Sequence, residues 1–296
     1  MNGTRHIKYR WLVLLSLFTF HLSPSSAQHY VGASLAGSIP LLTDNIATTH
    51  AKPSYGGELG FVYEWQKGHL LVQTGVHYAL LCPVMTVDDR NIEQAMRDTR
   101  GVPFTYRGQL TDRTDRIIAG QLGLPLYVGG IWKGWTVMAG LRLNVNLHAN
   151  AHMKAGLQTL GDYQGRYYDL FENMPNHGYH AVEPVTSSCT FAFRPIDLRV
   201  GAEIGYTFTL SSHSSTQPSP PLLRLGVFAE YGLLNACNNS VKEDAPSSVE
   251  PDFSQYMTVT MYPVHASSDA AHSAAHWLTF GLRLTLLFPV TTEHNP

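Results

Sequence analysis

The stretch WTVMAGLRLNVNLH, residues 135–148, separates its side chains into two sets along one segment. Apolar residues occupy every odd position from Trp135 to Leu147, whereas the even positions, from Thr136 to His148, are mostly polar or small, with Arg142 and Asn144 near the middle. Successive side chains of a β-strand point to opposite faces, so this alternation predicts one long strand with an apolar and a polar face. The fold then depends on whether the apolar face meets a protein core or lipid.

The composition favours strands and argues against a nucleic-acid partner. Of the 296 residues, 44% are hydrophobic and 14% are charged, against roughly 25% charged residues in typical soluble proteins. The formal net charge is −2, which offers no electrostatic attraction to nucleic acid. Apart from one run near the start, the apolar residues are spread periodically rather than grouped, as in strands.

The first residues have the features of a secretory signal peptide. Basic residues near Arg5 precede an apolar run at 11–22, and Ser25 and Ala27 are small residues suited to a cleavage site. We expect a signal peptide over 1–27 and a β-barrel domain over 28–296. A membrane-anchoring helix is the alternative, but the apolar run is shorter than the roughly 20 residues that a span requires.

Alternating segments recur along the rest of the chain, and most have ten or more residues. There are eight: 30–39, 55–65, 69–81, 117–132, 135–148, 196–210, 223–234 and 278–288. Strands of globular proteins usually have about 5–6 residues, whereas a tilted membrane strand needs about 9–11. The segments therefore predict an all-β fold, a closed antiparallel up-and-down transmembrane β-barrel of eight strands.

The connections alternate in length, as in outer-membrane barrels with short periplasmic turns and long outer loops. Short links at 66–68, 133–134 and 211–221 contrast with longer ones at 40–54, 82–116, 149–194 and 235–276. Residues 88–100 could form a short helix in the second long loop. Segments 104–110, 189–194 and 256–262 could prolong neighbouring strands, or form a fifth pair and give ten strands.

Aromatic residues favour lipid on the apolar face. Trp65, Trp132 and Trp135 lie beside short turns, and the alternation places each on the apolar side. With Tyr63, Phe208 and Phe288 they would form an aromatic girdle at one membrane interface.

The opposite face carries charges of both signs, which could pair across the interior of a barrel. They are Glu58, Glu64, Arg142, Asp197, Arg199, Glu203, Arg224, Glu230 and Arg283. Eight strands enclose a space that side chains can fill. We therefore expect an ionic network that plugs the lumen and leaves no diffusive pore.

The last segment, TFGLRLTLLF, resembles the C-terminal assembly signal of outer-membrane β-barrels in Thr279, Gly281, Leu284, Leu286 and Phe288. More widely, YVGASLAGSIP (30–40), GLPLYVG (123–129), GAEIGYTF (201–208) and FGLRLTLLF (280–288) resemble the PorT-like class of small outer-membrane barrels. The resemblance implies the bacterial cell outer membrane as location, and a structural, interaction or export-related role. It also implies membrane lipid and the barrel-assembly machinery as partners.

Two other functions remain open from the sequence. One is a soluble, secreted, lipocalin-like binding barrel with its apolar faces inward. The other is a hydrolase at the outer rim, where His148, His152, Asp162, Asp169, His177 and His180 fall in or beside one connection, since Asp and His together could activate a water. No spacing among them singles out a catalytic set, so we assign no catalytic residue and expect no enzyme.

We expect neither a metal nor a cofactor, because the closely spaced histidine pairs lie in a loop rather than on a helix. The tyrosine-rich residues 162–171 are the candidate surface for an envelope-protein or glycan partner. Cys82, Cys189 and Cys237 allow one disulfide, whose pairing the sequence does not determine.

Overall fold

Long antiparallel strands make up most of the chain. The structure is a computed structural model that describes residues 27–164, 170–191, 193–210, 220–237, 247–252, 258–267 and 273–290. The predicted signal peptide therefore lies almost entirely outside the described residues. The strands are β1 (Gln28–Asp44), β2 (Thr49–Lys67), β3 (Leu70–Val87), β4 (Arg90–Arg97), β5 (Pro103–Trp132), β6 (Trp135–Asp162), β7 (Leu170–Glu172), β8 (Glu183–Thr190), β9 (Ile196–Thr209), β10 (Leu222–Gly232), β11 (Val249–Asp252), β12 (Thr258–Met261) and β13 (Ala275–Pro289). Two short 3₁₀ turns occupy Pro175–His177 and Val264–Ala266.

Eight of these strands pair in a closed antiparallel ring. The order around the ring is β1, β2, β3, β5, β6, β9, β10 and β13, and β13 pairs back onto β1. The predicted eight-stranded antiparallel barrel is thus confirmed, and the ten-stranded alternative is wrong. Residues 104–110 prolong β5, residues 189–190 end β8 beside the upper part of β6, and β12 pairs with β11 in a separate two-stranded sheet.

The connections differ strongly between the two ends of the ring. The turn rim, as we name the end at Gly68 and Lys133–Gly134, has tight turns; the extended rim is the opposite end. There β5 and β6, with 30 and 28 residues, rise beyond the ring as a long hairpin. Much of the expected long loops 82–116 and 149–194 is therefore strand rather than loop.

The helix expected over 88–100 is wrong, because Arg90–Arg97 form strand β4 along the upper part of β5. Ile92 and Met96 pack on the core of the extension. Their spacing of four residues puts them on one face of a helix and equally on one face of a strand, so the pattern could not distinguish the two. The observed pairing of residues 90–97 with β5 shows that this segment is a strand.

A β-bulge interrupts the alternating stretch of residues 135–148. Gly120 pairs with His148 but Gln121 pairs with Asn146, so Leu147 is an extra residue on β6. A bulge of one residue reverses the faces of everything beyond it. His148, predicted on the polar inner face, is consequently exposed on the outside, and Ala149 faces the interior.

The apolar side of the ring faces outward. Trp135 and Leu141 are 54% and 47% exposed, whereas Arg142 is 2% exposed. A lipocalin-like barrel with inward apolar faces is therefore wrong for this chain. The outward apolar side chains form a continuous apolar band around the ring: Leu59, Phe61, Val76, Leu122, Leu124, Leu126, Val137, Leu141, Leu143, Val200, Ile204, Leu225, Val227, Phe280, Leu282 and Leu284.

Above the bulge the arrangement inverts, and the interior becomes apolar. Ile117, Ala151, Met153, Met261 and Trp277 are buried together in a hydrophobic core inside the extended rim. This core resembles that of a soluble sheet protein, with polar residues such as His152 and Lys154 outside. No helix within the described ranges has the length and apolarity that crossing a membrane requires.

The bulge can be tested by labelling single cysteines with a membrane-impermeant maleimide. In a background with the three native cysteines replaced by alanine, His148→Cys of the folded protein should react readily, because that position is outside the ring. Ala149→Cys should be protected until the protein is unfolded, because Ala149 is buried. An uninterrupted alternation would give the reverse pattern.

Candidate functional site: the closed interior of the ring

The interior of the ring holds four arginines and five carboxylates, all of them buried. The alternation of β2, β6, β9, β10 and β13 directs them inward: Glu58, Glu64, Arg142, Asp197, Arg199, Glu203, Arg224, Glu230 and Arg283. Removing a charge from water costs several kcal/mol, so such groups persist only where they are paired and hydrogen-bonded. The structure brings all nine into ion pairs.

Nearest the turn rim lies a two-pronged ion pair between β2 and β10. Arg224 donates from Nη1 to Glu64 Oε2 at 2.6 Å and from Nη2 to Glu64 Oε1 at 2.8 Å. Gln73 donates from its amide to the same carboxylate at 3.0 Å. The planar fork of arginine matches a carboxylate in this way, and the pairing fixes both side chains across the interior.

The middle of the interior is a continuous network rather than a set of pairs. Arg142 donates from Nη1 to Glu58 and, at 3.2 Å, to Glu230. Arg283 donates from Nη2 to Glu58 at 3.0 Å and from Nη1 to Glu203 Oε2 at 2.6 Å. The strands β2, β6, β9, β10 and β13 are thereby linked through their side chains as well as through their ladders.

Three further side chains, those of His77, Tyr127 and Phe228, complete this central network. His77 Nδ1 lies 2.6 Å from Glu58 Oε1, and the Tyr127 hydroxyl donates to Glu230 at 3.1 Å. The guanidinium of Arg283 lies 4.3 Å from the ring centroid of Phe228, a cation–π contact. Phe228 and Tyr127 are large inward residues that the alternation alone did not identify as members of the site.

The upper layer is held by Arg199, which donates from Nε to Asp197 at 2.6 Å and from Nη2 to Gln121 at 2.6 Å. The guanidinium carbon of Arg199 lies 5.1 Å from the ring centroid of Trp277, which is itself fully buried. Trp277 marks the boundary at which the ionic interior ends and the apolar core of the extended rim begins.

Glycines on the inner face provide the space for these large side chains. A Cβ at Gly60 would lie 2.3 Å from the His77 ring, and one at Gly123 would lie 2.4 Å from Nε of Arg142. Glycine is otherwise unfavourable within a strand. Its presence here is explained by the packing of large charged groups against the opposite backbone.

Apolar side chains close the interior at the turn rim. Tyr30, Val62, Leu222 and Leu287 form one buried cluster, and Leu71, Tyr127 and Met138 form a second. The alternation assigns Met138 to this inner face but does not by itself single out Tyr30, Val62, Leu222 or Leu287 as inward residues. Their inward positions agree with it, since Val62 and Leu287 each lie between outward-facing residues.

Residues 247–267, where described, cover the opposite mouth. Arg113, itself paired with Asp115, donates to the Ser248 carbonyl at 3.1 Å, and the Val264 amide donates to Asp115 at 3.2 Å. His265 Nε2 lies 2.5 Å from Asp44 Oδ2 at the outer end of β1. Burial raises the pKa of Asp44, but the contacts with His265 and the hydrogen bonds from Thr49 and the Ile46 amide together hold that pKa below the usual aspartate value. These contacts hold the described part of 247–267 against the outer ends of β1 and β5.

The predicted girdle residues all lie near the turn rim. Tyr63, Trp132, Trp135, Phe208 and Phe288 are exposed, and Trp65 is partly exposed. Of the predicted assembly-signal residues, Leu284 and Phe288 face outward on β13, while Thr279 is buried inside.

The histidine and aspartate residues of the outer connection do not converge. His148 and His152 are exposed on the outside of β6, Asp162 pairs with Arg107 at 3.1 Å, and His180 pairs with Glu183 at 2.8 Å. Asp169 lies outside the described residues. Among the described residues no group of three or more His, Cys, Asp and Glu side chains is placed to hold a metal ion. Cys82, Cys189 and Cys237, all within the described ranges, form no disulfide.

The far end of the β5–β6 hairpin carries an aromatic depression of about 330 Å³. Tyr163 stacks on Phe104 with ring centroids 4.8 Å apart and meets Phe171 edge-on at 5.3 Å. Tyr179, Asp98 and Arg100 also line the depression. Tyrosine-rich segment 162–171 contributes to it through its described members, Tyr163 and Phe171.

Comparisons with known proteins give only distant structural likenesses. No protein-family model and no curated protein matches the chain. One similar solved structure is Ail, the attachment invasion locus protein of Yersinia pestis, in complex with the heparin analogue sucrose octasulfate: TM-score 0.26, 9% identity, 88% of this chain and 99% of that chain covered. Another is the Salmonella SPI-1 type III secretion injectisome secretin InvG in its open-gate state: TM-score 0.11, 8% identity, 99% and 68% covered.

Removal of one partner from the Glu64–Arg224 pair should be strongly destabilising. Arg224→Met leaves a buried carboxylate without its counter-charge, so we expect a loss of about 3–5 kcal/mol in the free energy of unfolding, measured with urea after folding into lipid vesicles. Adding Glu64→Gln should restore part of the loss by removing the unpaired charge.

A matched control is Arg107→Met, which breaks an exposed pair with Glu93 and Asp162 on the extension. Exposed pairs contribute about 0–1 kcal/mol, so this variant should stay close to the wild type. Equal effects of Arg224→Met and Arg107→Met would contradict the buried network.

Proposed function

We propose that the chain is a bacterial outer-membrane β-barrel protein with a closed interior, and that it acts through contacts made by its outer extension rather than by conducting solutes. The observation that carries the proposal is the apolar band around an eight-stranded ring whose interior is ionic. Lipid is the medium that such an outer surface fits, because a closed ring leaves no sheet edge unpaired within the hydrocarbon.

The orientation follows from the two rims. The aromatic side chains near the turn rim suit a membrane interface, and short turns on that side are typical of the periplasmic end. The extended rim, with its own hydrophobic core, would then stand outside the cell. Export through a signal peptide at 1–27, and insertion by the barrel-assembly machinery through Thr279–Phe288, belong to the same proposal.

The closed interior argues for a structural or interaction role. An exported substrate would find no path through this chain, so an export-related role, as in the PorT-like resemblance, would require contact with other envelope proteins. The aromatic depression at the outer ends of β5 and β6, opposite their turn, is the surface that best suits such a contact. Its ring faces also suit the C–H face of a sugar, which makes a glycan the favoured partner there.

The position of the apolar band can be tested with a charge on the outward face. Leu141→Arg, at mid-band, should destabilise the protein folded in lipid vesicles by about 2–4 kcal/mol, because the guanidinium would lie in hydrocarbon. The control Asn150→Arg places the same charge outward on β6 above the bulge and should change stability by less than about 1 kcal/mol.

In cells, the wild-type protein should fractionate with the outer membrane and migrate differently on gels with and without boiling. A detergent-free soluble pool of folded protein, or equal effects of the two arginine variants, would contradict the membrane assignment.

The closed interior predicts a result in planar bilayers. Purified wild-type protein should give no steady conductance, because buried side chains fill the ring and both mouths are covered. Large, stable channels would contradict the plugged interior while leaving the membrane location intact.

A further inference from the structure

Immediately above the apolar band, one side of the outer wall carries basic side chains without acidic partners. On β5, Arg116 is the next outward residue after Ile118, about 7 Å further along the strand. Arg116 pairs in register with Val84 on β3 and with His152 on β6. Val84 pairs in turn with Lys52 on β2, and Lys154 lies one outward position above His152. We name Lys52, Arg116, His152 and Lys154 the basic patch.

All four side chains of the basic patch are exposed. Among the residues that the structure describes, Lys52, Arg116 and Lys154 form no ion pair. Asp112, the next outward carboxylate on β5, lies one row higher beside a second bulge. Lys52 and Arg116 therefore stand in one row and Lys154 in the next, with no carboxylate bonded to any of the three, unlike the arginines of the interior.

The patch is concave and bordered by hydroxyl groups. A depression of about 460 Å³ is lined by Arg116, His152 and Lys154 together with Thr114, Thr186 and Ser188. Ser188 Oγ lies 2.8 Å from Nδ1 of His152, which orients the ring in the depression. A depression lined by cationic and hydroxyl donors offers the hydrogen bonds that phosphate oxygens accept.

We propose that the basic patch binds the phosphate groups of an anionic glycolipid in the outer leaflet; this inference rests on the membrane location proposed above. The position of the patch just above the apolar band favours a membrane lipid as its ligand. The headgroup of a lipid whose chains lie against Leu122, Leu143 and Leu147 would meet the wall at the height of Arg116 and His152. The apolar band and the basic patch thus form one continuous protein surface. The band would contact the acyl chains of the lipid, and the patch above it would contact the phosphates.

The inference can be tested with the full chain folded in detergent micelles and two probes: bisphosphorylated lipid A and the same lipid after dephosphorylation. The wild type should bind the phosphorylated lipid about tenfold or more tightly than the dephosphorylated one, because the phosphate oxygens would accept charge-assisted hydrogen bonds from the basic patch. The double variant Arg116→Gln/Lys154→Gln should lose that preference and keep the affinity for the dephosphorylated lipid.

A matched control, Arg97→Gln/Arg107→Gln, removes the same charge from exposed positions on β4 and the upper part of β5 and should retain the preference. Heat-dependent gel migration shows that each variant is folded. Equal affinity for the two lipids, or an unchanged preference in Arg116→Gln/Lys154→Gln, would overturn the inference.

Inorganic phosphate serves as a third probe, added as a competitor of the phosphorylated lipid. It should compete only weakly, because it lacks the acyl chains that contact the apolar band; competition at the same concentration as the lipid would overturn the assignment to a lipid. A protein that fractionates with the outer membrane but does not distinguish the two lipids loses this inference alone. A protein recovered in the soluble pool loses both proposals.

Discussion

Burying nine charged side chains within one ring is the constraint on which the rest of the structure depends. Arg142, Arg224 and Arg283 find their carboxylate partners on other strands, whereas Arg199 pairs with Asp197 on its own strand β9 and reaches across to Gln121 on β5. Arg142 and Arg283 accordingly reach Glu58 on β2 from opposite directions around the ring. The ionic network therefore requires closure of the sheet, and an open sheet would leave Glu58 and Glu230 without counter-charges. Charge pairing and ring closure thus depend on each other.

The same constraint explains the two kinds of interior. Where the outer surface is apolar, the inner face holds charge; beyond the bulge at Leu147 the inner face holds Ala149, Ala151 and Met153. One extra residue exchanges the faces, because the side-chain period of a strand is two. The change falls at the height where the apolar band ends. The bulge therefore lets one strand, β6, present an apolar outer face along its first part and a polar outer face beyond Leu147.

The alternation of side chains predicts the eight ring strands and assigns nine charged residues to the polar face, and these residues are buried in the structure. It failed where the chain leaves the ring. The bulge at Leu147 has no local sequence signal, so His148 was placed on the wrong face. Ile92 and Met96 fit a helix as well as a strand, and only the pairing of β4 with β5 decides between them. The alternation assigns the large apolar side chains of the last segment to the outer face, so it does not identify an inward apolar residue such as Leu287.

A protein built in this way has little freedom to use its interior for chemistry or transport. Arg142, Arg199 and Arg283 are each held by two or more partners, and Trp277 and Phe228 cover two of the guanidinium groups. Moving any of these charges aside would leave buried groups unpaired, at a cost of several kcal/mol for each. The long β5–β6 hairpin has no comparable constraint on its outer face. We therefore expect sequence variation that alters function on the extension, which the ring would hold at the membrane surface if the proposed location is correct.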